Sequence, residues 1–573
     1  MSRRWLTRFS LFSLVLALTV LLALPAMAAK EQTLTILQTS DLHGHVMPVD
    51  YFTGKADDGG LAQVATIVRL HQKTEPNLLL LDAGDTIEGG NSVLPWHYQF
   101  EPKAKNPMAV ALNQLPYAAM GVGNHEFNYG LTILSIFRQD LNFPMISANI
   151  LGVDGRPYFE PYLIKRVGEV KVAVLGLTTP KIPVWEKKEN IPGLTFADPV
   201  ETAKKYVSEL RKKADVVVIL AHTGPEKAPK NPNDQAAWTK PETYVDQKQD
   251  DESFLFRLAA LPGVDVVLGG HAHLSIPGVE KLPGVNEGAL VVEPGFWGKQ
   301  VAKVKLVLEK PAFGKWKIVK KSAELIPVAG IATDDAVAAA IKPYHEATNR
   351  FYTSPIGQIT EDVPGGLQAR FGDTPLVALI NRAQLWATGA DVSLAALFTE
   401  ASQLKKGPVS IRDIYGLYIY PNTLYKIKVT GKQLRAALEH DARYFKLWDG
   451  QAKTFAEAVD PQVRGYNWDI YMGIQYKIDI SKPVGQRVVE LKFRGNDVKD
   501  EDTFTLAVNN YRAGGGGGFT MFQDAPVLWQ SEKEVREIIV DYIKQLPNQV
   551  IDVQTLTQGD FTLLPAEGIT QLK

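Results

Sequence analysis

From Thr33 to about Leu325 the chain alternates short, uniformly apolar runs with segments whose apolar residues recur every three or four positions. The runs at Leu34–Leu37, Leu78–Leu81, Ala118–Val122, Val170–Leu175, Val216–Leu220 and Val264–Leu268 read as strands covered on both faces. A half-exposed strand would instead alternate apolar with polar residues. Helical spacing occupies Leu61–His71, Leu131–Gln139 and Val200–Lys213. Strand and helix in succession predict a layered α/β domain. At its end, Leu290–Val307 with Trp316–Val319 reads as antiparallel strands.

A second region follows. Ile331–Phe351 has helical spacing, with Thr333-Asp334-Asp335 as its start, and is expected to be a connecting helix. After Ser354-Pro355 the residues shift toward Tyr, Thr, Val and Gly, with hairpin-like runs at Leu424–Val429 and Gln475–Ile480. That predicts an α+β second domain. The expected divisions are residues 1–28, 29–328, 329–352 and 353–547, then a tail, 548–573, to which no role attaches.

The first division is a targeting segment. Arg3, Arg4 and Arg8 precede an apolar run from Phe9 to Leu24, and Ala26-Met27-Ala28 reads as a cleavage site. The expected product is exported, to the periplasm or the cell exterior, without a stable membrane anchor. No later stretch approaches the roughly 18 apolar residues of a spanning helix.

Composition narrows the chemistry. Lys+Arg 62 against Asp+Glu 63 leaves no basic excess to hold a nucleic acid polymer. Hydrophobic residues at 45% exclude a largely disordered chain. Cysteine is absent, which excludes thiolate metal sites and a cysteine nucleophile together. A metal site here must be built from His, Asp, Glu, Asn or backbone.

Such residues recur at strand ends. Asp41-Leu42-His43 follows the first strand, Gly84-Asp85 the second and Gly123-Asn124-His125-Glu126 the third. His222 follows Val216–Leu220, and Gly270-His271-Ala272-His273 the next strand. The C-terminal edges of parallel strands open on one crevice, so these motifs are expected to meet. The candidate ligands are Asp41, His43, Asp85, Asn124, His222, His271 and His273, with His125 beside them. Imidazole and carboxylate donors suit divalent Mn, Zn, Co or Fe, and Asp85 is the expected bridge between two ions. His45, His71, His97, His345 and His440 lack such neighbours and read as surface or packing residues.

Together these motifs resemble the calcineurin-like metallophosphoesterases, in the form found in the 5′-nucleotidase and 2′,3′-cyclic-nucleotide 2′-phosphodiesterase family. The resemblance covers essentially the whole chain after the signal. It implies a four-layer αββα domain, a linker helix and a smaller nucleotide-recognition domain. It assigns Asp41, His43, Asp85 and His273 to one ion, and Asp85, Asn124, His222 and His271 to the other. His125 would stabilise the transition-state charge or protonate the departing ribose oxygen. In the strict 5′-nucleotidases an aspartate pairs with this histidine; here the position is Asn128, as in the cyclic-nucleotide enzymes.

The second domain carries Tyr418-Ile419-Tyr420-Pro421-Asn422-Thr423 and Asn509-Asn510-Tyr511-Arg512-Ala513. These resemble the segments that bind the base, with Tyr420 and Tyr511 as stacking walls and Asn422 beside them. The family's Gly-Gly-Asp-Gly-Tyr is Gly515-Gly516-Gly517-Gly518-Phe519 here. Either the missing carboxylate leaves room for a 2′,3′-cyclic or 3′-phosphate, or the glycines serve a turn. The phosphate-clamping arginine segment has no counterpart, Ala395-Ala396-Leu397-Phe398 standing about there.

The expectation is a monomeric 2′,3′-cyclic-nucleotide 2′-phosphodiesterase and 3′-nucleotidase for nucleotide salvage. The alternatives are a broad 5′-nucleotidase or UDP-sugar hydrolase and, from another class, a metal-bearing surface binding protein without turnover.

Overall fold

The computed structural model describes residues 30–88, 104–247, 252–282, 288–311 and 314–572. The expected signal, residues 1–28, and His97 lie outside them. The chain forms two compact units. One takes the residues up to Asp50 together with Ala56–Thr348, the other Tyr51–Lys55 together with Asn349–Lys573.

Two six-stranded sheets make up the first unit. In one, β1 (Lys30–Thr39), β2 (Leu78–Asp82), β3 (Tyr117–Gly121) and β4 (Met145–Ile146) run parallel. In the other, β5 (Tyr162–Val167) pairs antiparallel with β6 (Val170–Thr178), and β6, β7 (Val216–His222) and β8 (Val266–Leu268) run parallel. A strand Ser275–Val279, β9, and β10 (Leu290–Pro294) complete that sheet, while β11 (Gln300–Lys310) and β12 (Lys317–Pro327) complete the first.

Burial explains the apolar runs. On β7, Val216, Val218 and Leu220 join Leu34 and Ile36 of β1 in a core between the sheets. Val217, Ile219 and Ala221 face the opposite way, against Ala203, Val207 and Leu210 of the helix Pro199–Lys213. Each fully buried aliphatic side chain is worth about 1.5–3 kcal/mol, so a polar residue on either face would be costly. That helix starts where Asp198 accepts from the Val200 and Glu201 amides, and it ends on Arg211, Lys212 and Lys213. Both ends suit the helix dipole.

The antiparallel strands expected at 290–307 and 316–319 are present: β10 pairs antiparallel with β9, and β11 antiparallel with both β1 and β12. One pairing departs from that expectation, since β10 runs parallel to its other neighbour, β8. Between β10 and β11, Gly295, Trp297 and Gly298 take positive φ angles of 71°, 58° and 62°, and this turn carries the chain from one sheet to the other.

The expected connecting helix spans Asp335–Thr353. The second unit holds a five-stranded sheet ordered Asp469–Met472, Val392–Ala396, Thr503–Asn509, Thr423–Thr430 and Val527–Glu534. Thr423–Thr430 forms no local hairpin, since both its partners are distant in sequence. Gln475–Asp479 does form one, with Val488–Phe493. The segment expected as a tail is part of the unit: Val550–Ile551 pairs with Pro355–Ile359, and Phe561–Leu564 with Gln475–Asp479.

Candidate metal centre

The C-terminal ends of β1, β2, β3, β7 and β8 bring all seven candidate ligands together. Donor atoms of Asp41, His43 and His273 lie within 4.8 Å of one another, as do those of Asp85, His222 and His271. Asn124 Oδ1 is 2.9 Å from His271 Nδ1. His125 is closer than expected, sharing a third such group with His43 and Asp85.

The backbone is bent to achieve this. Asp41, His43, Asp85, His271 and His273 have φ of 51°, 47°, 55°, 77° and 58°. Left-handed backbone away from glycine costs on the order of 1–3 kcal/mol per residue and persists only where the surroundings impose it. Here the first two loops brace each other: the Asp41 amide donates to the Gly84 carbonyl and the His43 amide to the Asp85 carbonyl, both at 2.9 Å. The glycines beside the ligands are needed for space. A Cβ on Gly123 would sit 2.2 Å from Asp85 Oδ1, and one on Gly270 2.3 Å from Ser40 Oγ.

The donor set fits a cation. His43 Nδ1 donates to the Glu88 carbonyl at 2.6 Å and His222 Nδ1 to the Ala83 carbonyl at 2.9 Å. A carbonyl only accepts, so each neutral ring presents a lone pair at Nε2. His43 Nε2 lies 2.9 Å from His273 Nε2, and His222 Nε2 lies 2.9 Å from Asp85 Oδ2. The latter nitrogen is buried and has no hydrogen-bond partner among the described residues. A lone pair against a carboxylate is resolved only by a proton or a metal ion.

Electrostatics says the same. Burial pulls the His222 imidazole down, but the Asp85 and Asp41 carboxylates push it up to about 10. Asp85, despite burial, is held well below the usual carboxylate range by His222 and His125. Burial, aided by the neighbouring His222, takes His271 down to about 4 and keeps it neutral. A divalent cation would take the place of the proton that this pair otherwise holds.

Several supporting residues carried no role in the sequence reading. Glu126 is buried, and its carboxylate accepts from the Asp85 amide at 2.8 Å, the Gly123 amide at 2.7 Å and the Thr86 amide at 2.6 Å. It sits in a motif already singled out, so its signal was present. Glu88, Trp185, Glu186 and Glu252 belong to no motif. His125 donates its amide to Asp85 Oδ1 at 2.8 Å, and its Nδ1 is 2.6 Å from Asn128 Oδ1 and 3.0 Å from Glu88 Oε2. Burial opposes its charge, but Asp85 and Glu88 push the ring up to about 10. A cavity of about 480 Å³ opens over Asn124, His125, His271 and His273, with Trp185 and Glu252 on its walls.

Of the histidines set aside, His45 is buried and stacks on Trp297 at 4.5 Å, a packing role. His440 bonds the Gly517 carbonyl at 2.9 Å.

In the second unit Tyr420 and Tyr511 are 38% and 49% exposed, leaving ring surface free for stacking. Burial first, then nearby Tyr466 and Tyr511, raises the Tyr420 phenol. The Asn422 carbonyl accepts from the Val535 amide at 2.8 Å. Phe398 packs edge-on against Tyr420 at 5.2 Å. The glycine tract has a steric cause: Gly517 has φ of 71°, and a Cβ there would lie 2.3 Å from Arg512 Nη1. The turn reading therefore suffices for this glycine.

Strand-end imidazole and carboxylate ligands in a layered α/β unit, with a cavity over them, make a site suited to a metal-dependent hydrolase. Residues 34–275 match the calcineurin-like phosphoesterase family and residues 355–524 the 5′-nucleotidase C-terminal domain. The chain is 30% identical to a 2′,3′-cyclic-nucleotide 2′-phosphodiesterase/3′-nucleotidase of Haemophilus influenzae, over 100% of this chain and 93% of that one. It is 25% identical to a 5′-nucleotidase of Vibrio cholerae, covering 92% of each. A crystal structure of a putative 5′-nucleotidase from Staphylococcus aureus superposes with a TM-score of 0.67 at 27% identity, over 93% of this chain and 100% of that one. The chain belongs to the calcineurin-like phosphoesterases that carry a 5′-nucleotidase C-terminal domain.

Proposed function

We propose that the protein hydrolyses 2′,3′-cyclic nucleotides to 3′-nucleotides and these to nucleosides, acting outside the cytoplasm after removal of residues 1–28. The observation that carries the hydrolytic reading is the convergence of seven imidazole, carboxylate and amide donors at the strand ends, with His222 Nε2 buried 2.9 Å from Asp85 Oδ2. Similarity to the Haemophilus influenzae enzyme and Asn128 beside His125 support the cyclic substrate. Among the described residues no helix is long and apolar enough to cross a membrane.

In this reading Asp41, His43, Asp85 and His273 hold one divalent ion, and Asp85, Asn124, His222 and His271 the second. Mn, Zn, Co or Fe suits these donors. When bound, such ions neutralise phosphoryl charge and supply the Lewis acidity for attack by water. His125 stabilises the developing charge or protonates the departing ribose oxygen. Tyr420 and Tyr511 stack on the base, with Asn422 beside them, and because every base has a π-face the base preference is broad.

Purified protein assayed with 2′,3′-cAMP, 3′-AMP and 5′-AMP tests the proposal. The first two are expected to be turned over fastest; 5′-AMP far ahead of both would mark a 5′-nucleotidase. Tyr420→Ala and Tyr511→Ala are each expected to raise KM about tenfold with kcat nearly unchanged, in line with stacking worth about 1–3 kcal/mol per base. Steady-state kinetics on 3′-AMP reads this, and an unchanged KM removes that tyrosine from the base site.

A further inference from the structure

Asn128 presents His125 with an amide, whose two ends differ: the oxygen accepts and the amino group donates. Only the oxygen suits a ring that carries its proton on Nδ1. An amide turned over would set its N–H against the ring N–H. The shape of an amide does not choose between these arrangements.

Glu186 makes the choice. Its Oε2 receives Asn128 Nδ2 at 2.7 Å, and a carboxylate only accepts. The amino end of Asn128 must therefore point to Glu186, which leaves Oδ1 2.6 Å from His125 Nδ1. Glu186 is itself held, its Oε1 accepting from the Lys187 amide and from Asn190 Nδ2, both at 2.8 Å. Asn190 Nδ2 also reaches the Asn128 carbonyl at 3.0 Å, closing the cluster. The residue before Glu186 is Trp185, whose indole lies against His271 at 5.4 Å, so this segment is seated on the site from two directions.

We propose that Glu186 is a positioning residue: through the Asn128 amide it holds the His125 ring by its Nδ1–H, so that Nε2 is presented as the ring's working atom. A neutral asparagine cannot supply the charge that an aspartate would. Glu88, with Oε2 3.0 Å from the same Nδ1, supplies a carboxylate in its place. The inference rests on the reading of His125 as the catalytic histidine.

The test compares wild type, Glu186→Gln and the double variant Asn128→Asp with Glu186→Gln, each fully metal-loaded, with bis(p-nitrophenyl) phosphate as a probe that needs no base pocket. Glu186→Gln is expected to lower kcat about ten- to a hundredfold with KM within about twofold, the scale on which residues orienting a working histidine act. An aspartate has two like oxygens and needs no orienting, and the glutamine amide introduced by Glu186→Gln can donate to it. The double variant is therefore expected to recover to within about fivefold of wild type. A purely structural role for Glu186 would leave the double variant as impaired as the single one. Wild-type kcat in Glu186→Gln, or no recovery in the double variant, overturns the proposal.

His125→Gln, run alongside, separates the two readings. If it keeps the full rate, the catalytic reading of His125 has failed. Orientation is then read without turnover, from ring-nitrogen NMR of zinc-loaded protein. The Nδ1–H resonance, assigned by its absence from His125→Gln, is expected to move upfield and exchange faster with solvent in Glu186→Gln, and an unchanged resonance overturns the inference.

Discussion

Asp85→Asn is expected to lower kcat at least about a thousandfold, a loss near 4 kcal/mol at about 1.4 kcal/mol per tenfold and within reach of a lost Lewis acid. The substitution is isosteric. Oδ1 would still accept the His125 amide, now at 2.8 Å, so the fold around it should survive. What changes is the atom facing His222 Nε2, 2.9 Å away. An amide nitrogen would donate to that lone pair and fill the place where a cation belongs, while removing the negative charge that two cations would share. Elemental analysis should find fewer than two ions per chain. Two retained ions with kcat within tenfold of wild type would sink the bridging role.

The second large effect is expected from Glu126→Gln. Four backbone amides, of Asp85, Thr86, Ile87 and Gly123, converge on this buried carboxylate. Burial and the neighbouring Asp85 raise its pKa, while the amides of Thr86 and Asp85 lower it. Glutamine keeps one accepting oxygen and turns its amino group toward the other amides. Hydrogen bonds to a charged group contribute about 1.5–3 kcal/mol each, so a destabilisation of roughly 2–4 kcal/mol is expected. Thermal unfolding with and without added metal should show both a lower Tm and a smaller upward shift by metal, because the Asp85 and Asn124 loops hang from this carboxylate. An unchanged Tm would show that the amides find other acceptors.

The constellation was legible because its residues follow buried strands, and a strand buried on both faces announces itself by an unbroken apolar run. Asp41, Asp85, Asn124 and His271 needed only that placement to be brought together. Trp185 and Glu186 close a single-turn helix, Ile182–Trp185, and Glu88 lies on an irregular segment; both are too short to carry a period, and their position depends on the tertiary fold. The break within 290–307 was hidden because Phe296 and Trp297 continue the apolar character through a turn made by Gly295 and Gly298. Val550–Ile551 and Phe561–Leu564 are too short to show alternation, so strands read as a tail. Gly517 invited a chemical reading of a missing carboxylate, where crowding by Arg512 and Asn467 is the physical cause.

The first sheet delivers Asp41, His43, Asp85 and Asn124, and the second His222, His271 and His273. Neither sheet alone can complete either proposed ion's shell, and Asp41 and His273 are 232 positions apart in the chain. Ions held in this way would be bound fully only by the two sheets together, and would stabilise that assembly by mass action, in proportion to the logarithm of free metal above its dissociation constant. In an environment where metal supply varies, the lifetime of this chain would track the same ions as its catalysis.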